Sequence, residues 1–62
     1  MKKVFLVLRG CAYEGWDVVG AFLEKEKAQT YIDENFDAKE VPQLEYPSRR
    51  EDGCCIEAWD VL

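Results

Sequence analysis

A chain of 62 residues is long enough for one domain with a marginal core, and it leaves little room for an enclosed active site. Thirteen Asp and Glu residues outnumber eight Lys and Arg residues, and a net charge of −5 argues against a nucleic-acid binder, which needs a basic face. The chain has no histidine, the commonest general acid or base and the commonest metal ligand. We therefore predict a protein that is not an enzyme, uses no cofactor or metal and takes no small-molecule substrate.

The first half of the chain predicts two strands joined by a turn. Residues 3–11 are rich in Val, Leu and Phe without helical spacing, and both faces of this strand are largely apolar, which is typical of a central strand. Residues 12–15 are predicted to turn, because Gly15 can supply a positive φ. Residues 16–22 predict the second strand, in which Gly20 indicates a bulge or a close backbone approach.

The second half predicts a helix, an irregular segment and a last strand. Residues 24–36 carry one apolar stripe at three- and four-residue spacing, which includes Ala28, Tyr31 and Ile32. Residues 37–53 are mostly polar and are punctuated by Pro and Gly, so we expect them to be irregular. Residues 54–61 predict the third strand.

This order of elements predicts a single α+β domain of ββαβ type. A helical crossover makes the third strand parallel to the second, and the apolar first strand belongs in the centre. The expected sheet has the order 2-1-3, antiparallel or mixed, with one helix on one face. This arrangement also places Cys11 near Cys54 or Cys55.

One helix covers only one face of such a sheet. We expect the helix to cover Val4, Leu6 and Leu8 of the first strand. The other face then needs a second cover, and three are open: the folded-back segment 37–53, a foreign protein, or a second copy of the chain, which is favoured. The predicted interface residues are Phe5, Val7, Val19, Trp59 and Val61.

Aromatic and apolar residues in the predicted loops are candidates for contact with a different partner, because such side chains are good interface anchors. In the first turn and beside it these are Tyr13, Glu14 and Trp16, and in the irregular segment they are Leu44 and Tyr46.

The three cysteines form a poor disulfide framework because their number is odd. Cys54 and Cys55 are adjacent in a strand and point to opposite faces, so they are not expected to chelate one metal together. A disulfide from Cys11 to either of them stays open, although buried inert thiols are favoured. No apolar run is long enough for a signal peptide or a membrane span, so we expect a cytoplasmic protein.

Several short patterns resemble a loose group of very small uncharacterised ββαβ proteins from bacterial and bacteriophage genomes. The resemblance covers residues 3–36 and the closing strand, and it departs at Leu23, where members usually place Ser or Thr before the helix. It implies a bacterial or phage setting in which tiny proteins often bind and inhibit larger ones, and it supplies no catalytic residues. The patterns are Val-Phe-Leu-Val-Leu at 4–8, Tyr-Glu-Gly at 13–15, Val-Val-Gly-Ala-Phe at 18–22, Glu-Lys-Ala at 26–28 and Tyr-Ile at 31–32.

Three hypotheses for the function follow. The first is a non-enzymatic homodimer that binds and modulates or inhibits a larger host protein, for example as a phage-encoded inhibitor of a host defence system. The second is a structural or accessory dimer without an inhibitory role. The third is an acidic mimic of nucleic acid, although Lys25, Lys27 and Arg49 interrupt the acidic surface.

Overall fold

The computed structural model describes residues 2–61 and confirms the predicted ββαβ order. Each observed strand begins a residue earlier than predicted, and the helix is one residue shorter at each end. The elements are β1 (Lys2–Cys11), β2 (Gly15–Phe22), α1 (Lys25–Asn35) and β3 (Gly53–Val61).

The three strands form one sheet in the predicted order β2-β1-β3, and β1 pairs antiparallel with both neighbours. The β1–β2 hairpin turns at residues 12–14, where Tyr13 has a φ of 64° and Gly15 a φ of 110°. The register between β1 and β2 shifts next to Leu8, which pairs with Val18 while Val7 pairs with Gly20. Val19 is therefore an extra residue in a bulge and has no partner in β1.

Helix α1 packs on one face of the sheet through a narrow stripe. Ala28 and Ile32 lie one turn apart and are buried, whereas most of the other helical residues are exposed or half-buried. Glu24 precedes the helix without a side-chain cap, and the backbone N–H of Phe36 donates to the Ile32 carbonyl where the helix ends. A helix of 11 residues with two buried side chains can cover only part of one sheet face.

The face of β1 that contacts the helix is the opposite of the one predicted. Val7 is 0% exposed and forms the core with Ala28 and Ile32, and Phe5 packs against that core. Phe5 and Val7 are therefore not on the face away from the helix. Gly20 lies opposite Val7, and a Cβ at Gly20 would come within 2.9 Å of the Phe22 ring. The missing side chain thus leaves room on the helix side.

No helix among residues 2–61 combines the length and the apolar character that crossing a membrane requires.

The reversed assignment of faces predicts a large difference between two valines of the sheet. Val7→Ala should lower the free energy of unfolding by about 2 kcal/mol, because it leaves a cavity in the core. Val18→Ala removes the same atoms from a side chain that is 55% exposed, and should change stability by less than about 0.5 kcal/mol. Urea unfolding measures both. Equal losses would contradict the assignment.

Candidate interaction surface

The side of the sheet away from α1 is here called the open face. Because side chains alternate along a strand, the residues that alternate with Val7 in β1 point to this face, together with their cross-strand partners. From β1 it carries Val4, Leu6 and Leu8, and their partners in β3 are Trp59, Glu57 and Cys55. From β2 it carries Val18 opposite Leu8 and Trp16 opposite Gly10.

Two glycines face each other at one end of the open face. Gly10 of β1 pairs with Gly53 of β3. A Cβ at Gly10 would lie 2.5 Å from the Trp16 ring, and a Cβ at Gly53 would lie 3.1 Å from the Leu44 side chain. Trp16 and Leu44 therefore occupy, from opposite edges of the sheet, the space that side chains at these two positions would need.

Residues 44–52, here called the crossing segment, pass over the open face at this end. Leu44 lies beside β3, where its N–H donates to the Cys54 carbonyl over 2.7 Å. Four residues later the Ser48 carbonyl accepts a hydrogen bond of 2.7 Å from Trp16 Nε1, on the far strand β2. The Arg49 carbonyl then accepts a bond of 2.9 Å from the Tyr13 N–H. One of the three possible covers, the folded-back segment 37–53, thus acts in part, because it covers this end of the open face.

Beneath this crossing, Cys55 is 0% exposed and Leu8 is 9% exposed. The residues just before the crossing segment are fixed on the helix side of the sheet. The amides of Gln29 and Gln43 exchange two hydrogen bonds of 2.7 and 2.8 Å, and Val41 is buried in the core. These contacts join the segment to both layers of the domain.

The other end of the open face has no cover within residues 2–61. Trp59 and Val61 are 56% and 44% exposed there, and Val4 and Leu6 beside them are half-buried. Farther along the sheet on β2, Val18 lies opposite Leu8 and is 55% exposed. Glu57 lies among them as Leu6's partner in β3. These five apolar residues are called the open-face patch below: Val4, Leu6, Val18, Trp59 and Val61.

The predicted interface residues are thus divided among three places. Trp59 and Val61 lie together in the open-face patch, Val19 lies in the bulge and is 40% exposed, and Phe5 and Val7 contact the helix side. Of the other patch residues, Val4 and Leu6 were expected on the helix side, and Val18 was not predicted at any site. Both faces of β1 are apolar, so only the glycine opposite Val7 could have indicated which face meets the helix.

Three of the five predicted partner-binding residues come together at the hairpin. Tyr13, Glu14 and Trp16 line a shallow groove with Gly15 and Arg49. Tyr13 is 83% exposed, although its backbone is held by the bond to the Arg49 carbonyl. The other two residues lie elsewhere, since Leu44 packs against Gly53 and Tyr46 is 67% exposed on the crossing segment.

All three cysteines are free thiols. Cys54 lies opposite Arg9 in the sheet, so Cys11 is a diagonal neighbour two positions along, at a typical distance of about 7 Å. That exceeds the usual span of a disulfide. Burial raises the pKa of the Cys54 thiol. Burial, Glu57 and Cys54 together raise the pKa of Cys55 to about 11.

The raised pKa of Cys55 predicts a loss of stability at high pH. The folded protein keeps this thiol proton up to a pKa of about 11, whereas the unfolded chain releases it near 9.0. The contribution is therefore intact below pH 9 and disappears as the pH rises toward 11, at a cost of about 2 kcal/mol. Urea unfolding between pH 8 and pH 11 should show a steeper loss for the native protein than for Cys55→Ala. Parallel curves for the two proteins would contradict this effect.

No cluster of three or more His, Cys, Asp or Glu side chains arranged to hold a metal ion occurs within residues 2–61.

Comparisons with known proteins find no matching family model, no similar curated protein and no similar solved structure. The resemblance to the small bacterial and bacteriophage proteins therefore stays a prediction.

Proposed function

We propose that the protein is a non-enzymatic interaction protein that forms a homodimer and binds a larger protein, which it modulates or inhibits. The observation that carries this proposal is the open-face patch. It combines an exposed tryptophan with four aliphatic side chains on one face of the sheet, which is the kind of surface from which interface anchors are drawn.

The energetics favour a cover for this patch. Each large apolar side chain that leaves water contributes about 1.5 to 3 kcal/mol, at roughly 25 cal/mol per Å². Leaving several such side chains wet forfeits several kcal/mol in a domain whose total stability is on the order of 5 to 15 kcal/mol. Association recovers part of this loss.

The chemistry of the chain favours binding over catalysis. It has no histidine, and the buried thiol of Cys55, with a pKa of about 11, stays protonated at neutral pH and is a poor nucleophile. The carboxylates outnumber the basic groups, so the chain is suited to a partner with a basic rim.

The hairpin groove is the second contact surface in this proposal. Hydrogen bonds from the Tyr13 N–H and Trp16 Nε1 to residues 48 and 49 fix the hairpin before any partner binds. The Trp16 ring is held by its own hydrogen bond and therefore loses little conformational entropy on binding, whereas the bond at Tyr13 fixes only the backbone from which its exposed ring projects. Tyr13 and Trp16 thus add anchors at the opposite end of the sheet from Trp59 and Val61.

The resemblance to small bacterial and bacteriophage proteins implies the class of target. A host defence or regulatory protein of the bacterial cytoplasm is the expected partner, and the small chain acts by occupying a surface that the target needs.

Affinity capture from a bacterial lysate tests the binding of a larger protein. The native protein should retain a stoichiometric partner, and Val18→Glu should retain at least about tenfold less, since a buried unpaired charge costs more than 1.4 kcal/mol. Val18 is a suitable site because it is 55% exposed and lies in the patch on β2.

Thr30→Glu is the matched control. It adds the same charge to an exposed position of α1, on the other side of the sheet, and should capture as much partner as the native protein. Absence of any stoichiometric partner, or equal losses for the two variants, would contradict the proposed function.

A further inference from the structure

The outer edge of β3 carries backbone groups without a partner strand. At the start of β3 this edge is used: the Cys54 N–H donates to the Pro42 carbonyl over 3.0 Å, and the Cys54 carbonyl accepts from Leu44 over 2.7 Å. Because every second residue of an edge strand points its N–H and carbonyl outward, those of Ile56, Ala58 and Asp60 point the same way. No strand within residues 2–61 lies beyond them.

The two edges of the sheet differ in how well they could accept another strand. β2 contains the bulge at Val19, and a bulge twists an edge away from pairing. β3 pairs with β1 without a shift in register, and residues 58–61 are all exposed. The regular and accessible edge is therefore that of β3.

Resting on the homodimer of the proposed function, we propose that a second copy of the chain adds its β3 antiparallel to this edge. Ala58 lies opposite Ala58 of the partner subunit, on the twofold axis. Ile56 then lies opposite Asp60 of the partner subunit, and Glu57 lies opposite Trp59 of the partner subunit. All three outward-pointing residues of each copy form hydrogen-bonded pairs, and the two sheets become one sheet of six strands.

The charges of the chain exclude two other registers and favour this one. An axis at Glu57 or at Asp60 would place like charges directly opposite each other, which is destabilising. An axis at Trp59 would place Asp60 of the partner subunit opposite Ala58, away from the groove that Lys25 and Ile56 line. In the register centred on Ala58, every acidic residue of β3 faces an apolar residue.

In this register, Lys25 lies next to the position of Asp60 of the partner subunit. Lys25 lines a groove with Ile56 and Gln43. The one ion pair of residues 2–61 joins Lys27 to Glu24, so Lys25 has no such contact there. Ile56 points to the helix side, so Asp60 of the partner subunit enters this groove beside Lys25. Glu45 lines the same groove and opposes the incoming carboxylate.

The inferred dimer leaves the open face free for the larger protein. Trp59 and Val61 of both copies lie beside the seam, so the two open-face patches join into one larger surface, in which Glu57 lies beside Trp59 of the partner subunit. A pairing of five residues per strand is smaller than a standard interface, so we expect a dimer that dissociates in the micromolar range.

Sedimentation equilibrium with charge-reversed variants tests the inference. Lys25→Glu and Asp60→Lys should each raise the dimer dissociation constant by about fivefold, because each variant removes both of the exposed ion pairs that the twofold axis generates. The double variant, in which the charges are exchanged, should return to within about twofold of the native protein. Both positions are exposed, so circular dichroism should show an unchanged fold for all variants.

Backbone hydrogen exchange provides the second measurement. The amides of Ile56, Ala58 and Asp60 should exchange more slowly as the protein concentration rises through the dissociation constant. A native protein that stays at 7.2 kDa at every concentration would overturn the homodimer itself. A dimer without slower exchange at these amides, or without rescue in the double variant, would overturn only the edge pairing and leave the homodimer standing.

Discussion

The pair formed by Gly10 and Gly53 is the constraint on which the rest of the surface depends. With no side chain at either position, Trp16 and Leu44 can lie over the backbone from opposite edges of the sheet. The Trp16 indole then holds the Ser48 carbonyl, and the crossing segment closes over Cys55. Side chains at the two glycines would displace Trp16 and Leu44, and the crossing segment would then lose the contacts that hold it over the sheet.

The same constraint decides where the surface is left open. The segment crosses where the glycines are, so it covers the end of the open face near Leu8 and not the end near Trp59. Helix α1 lies on the other side of the sheet, where its buried residues Ala28 and Ile32 pack against the core. Residues 2–61 therefore contain no further element that covers the open-face patch, and this uncovered surface is the one that we propose for association.

The sequence allowed the fold to be predicted because the strand order follows from the apolar character of β1 and the handedness of the helical crossover. The faces of β1 could not be assigned, since Val4, Leu6 and Leu8 are as apolar as Phe5 and Val7. Which face of β1 meets the helix depends on Gly20, which lies opposite Val7 and leaves room for packing on that side. This is a tertiary effect. That Tyr13, Glu14 and Trp16 lie together follows from their closeness in sequence, whereas the path of the crossing segment depends on contacts between residues more than 30 positions apart.

The central claim is that the chain covers one end of its open face and leaves the other end bare. Methyl resonances of the dilute protein, recorded with a soluble paramagnetic agent, test it most directly. The methyl groups of Val18 and Val61 should be strongly broadened, and those of Leu8 should be nearly unaffected, as should those of Val7 in the core. Equal broadening at Leu8 and Val18 would contradict the account, because the crossing segment would then not cover the sheet.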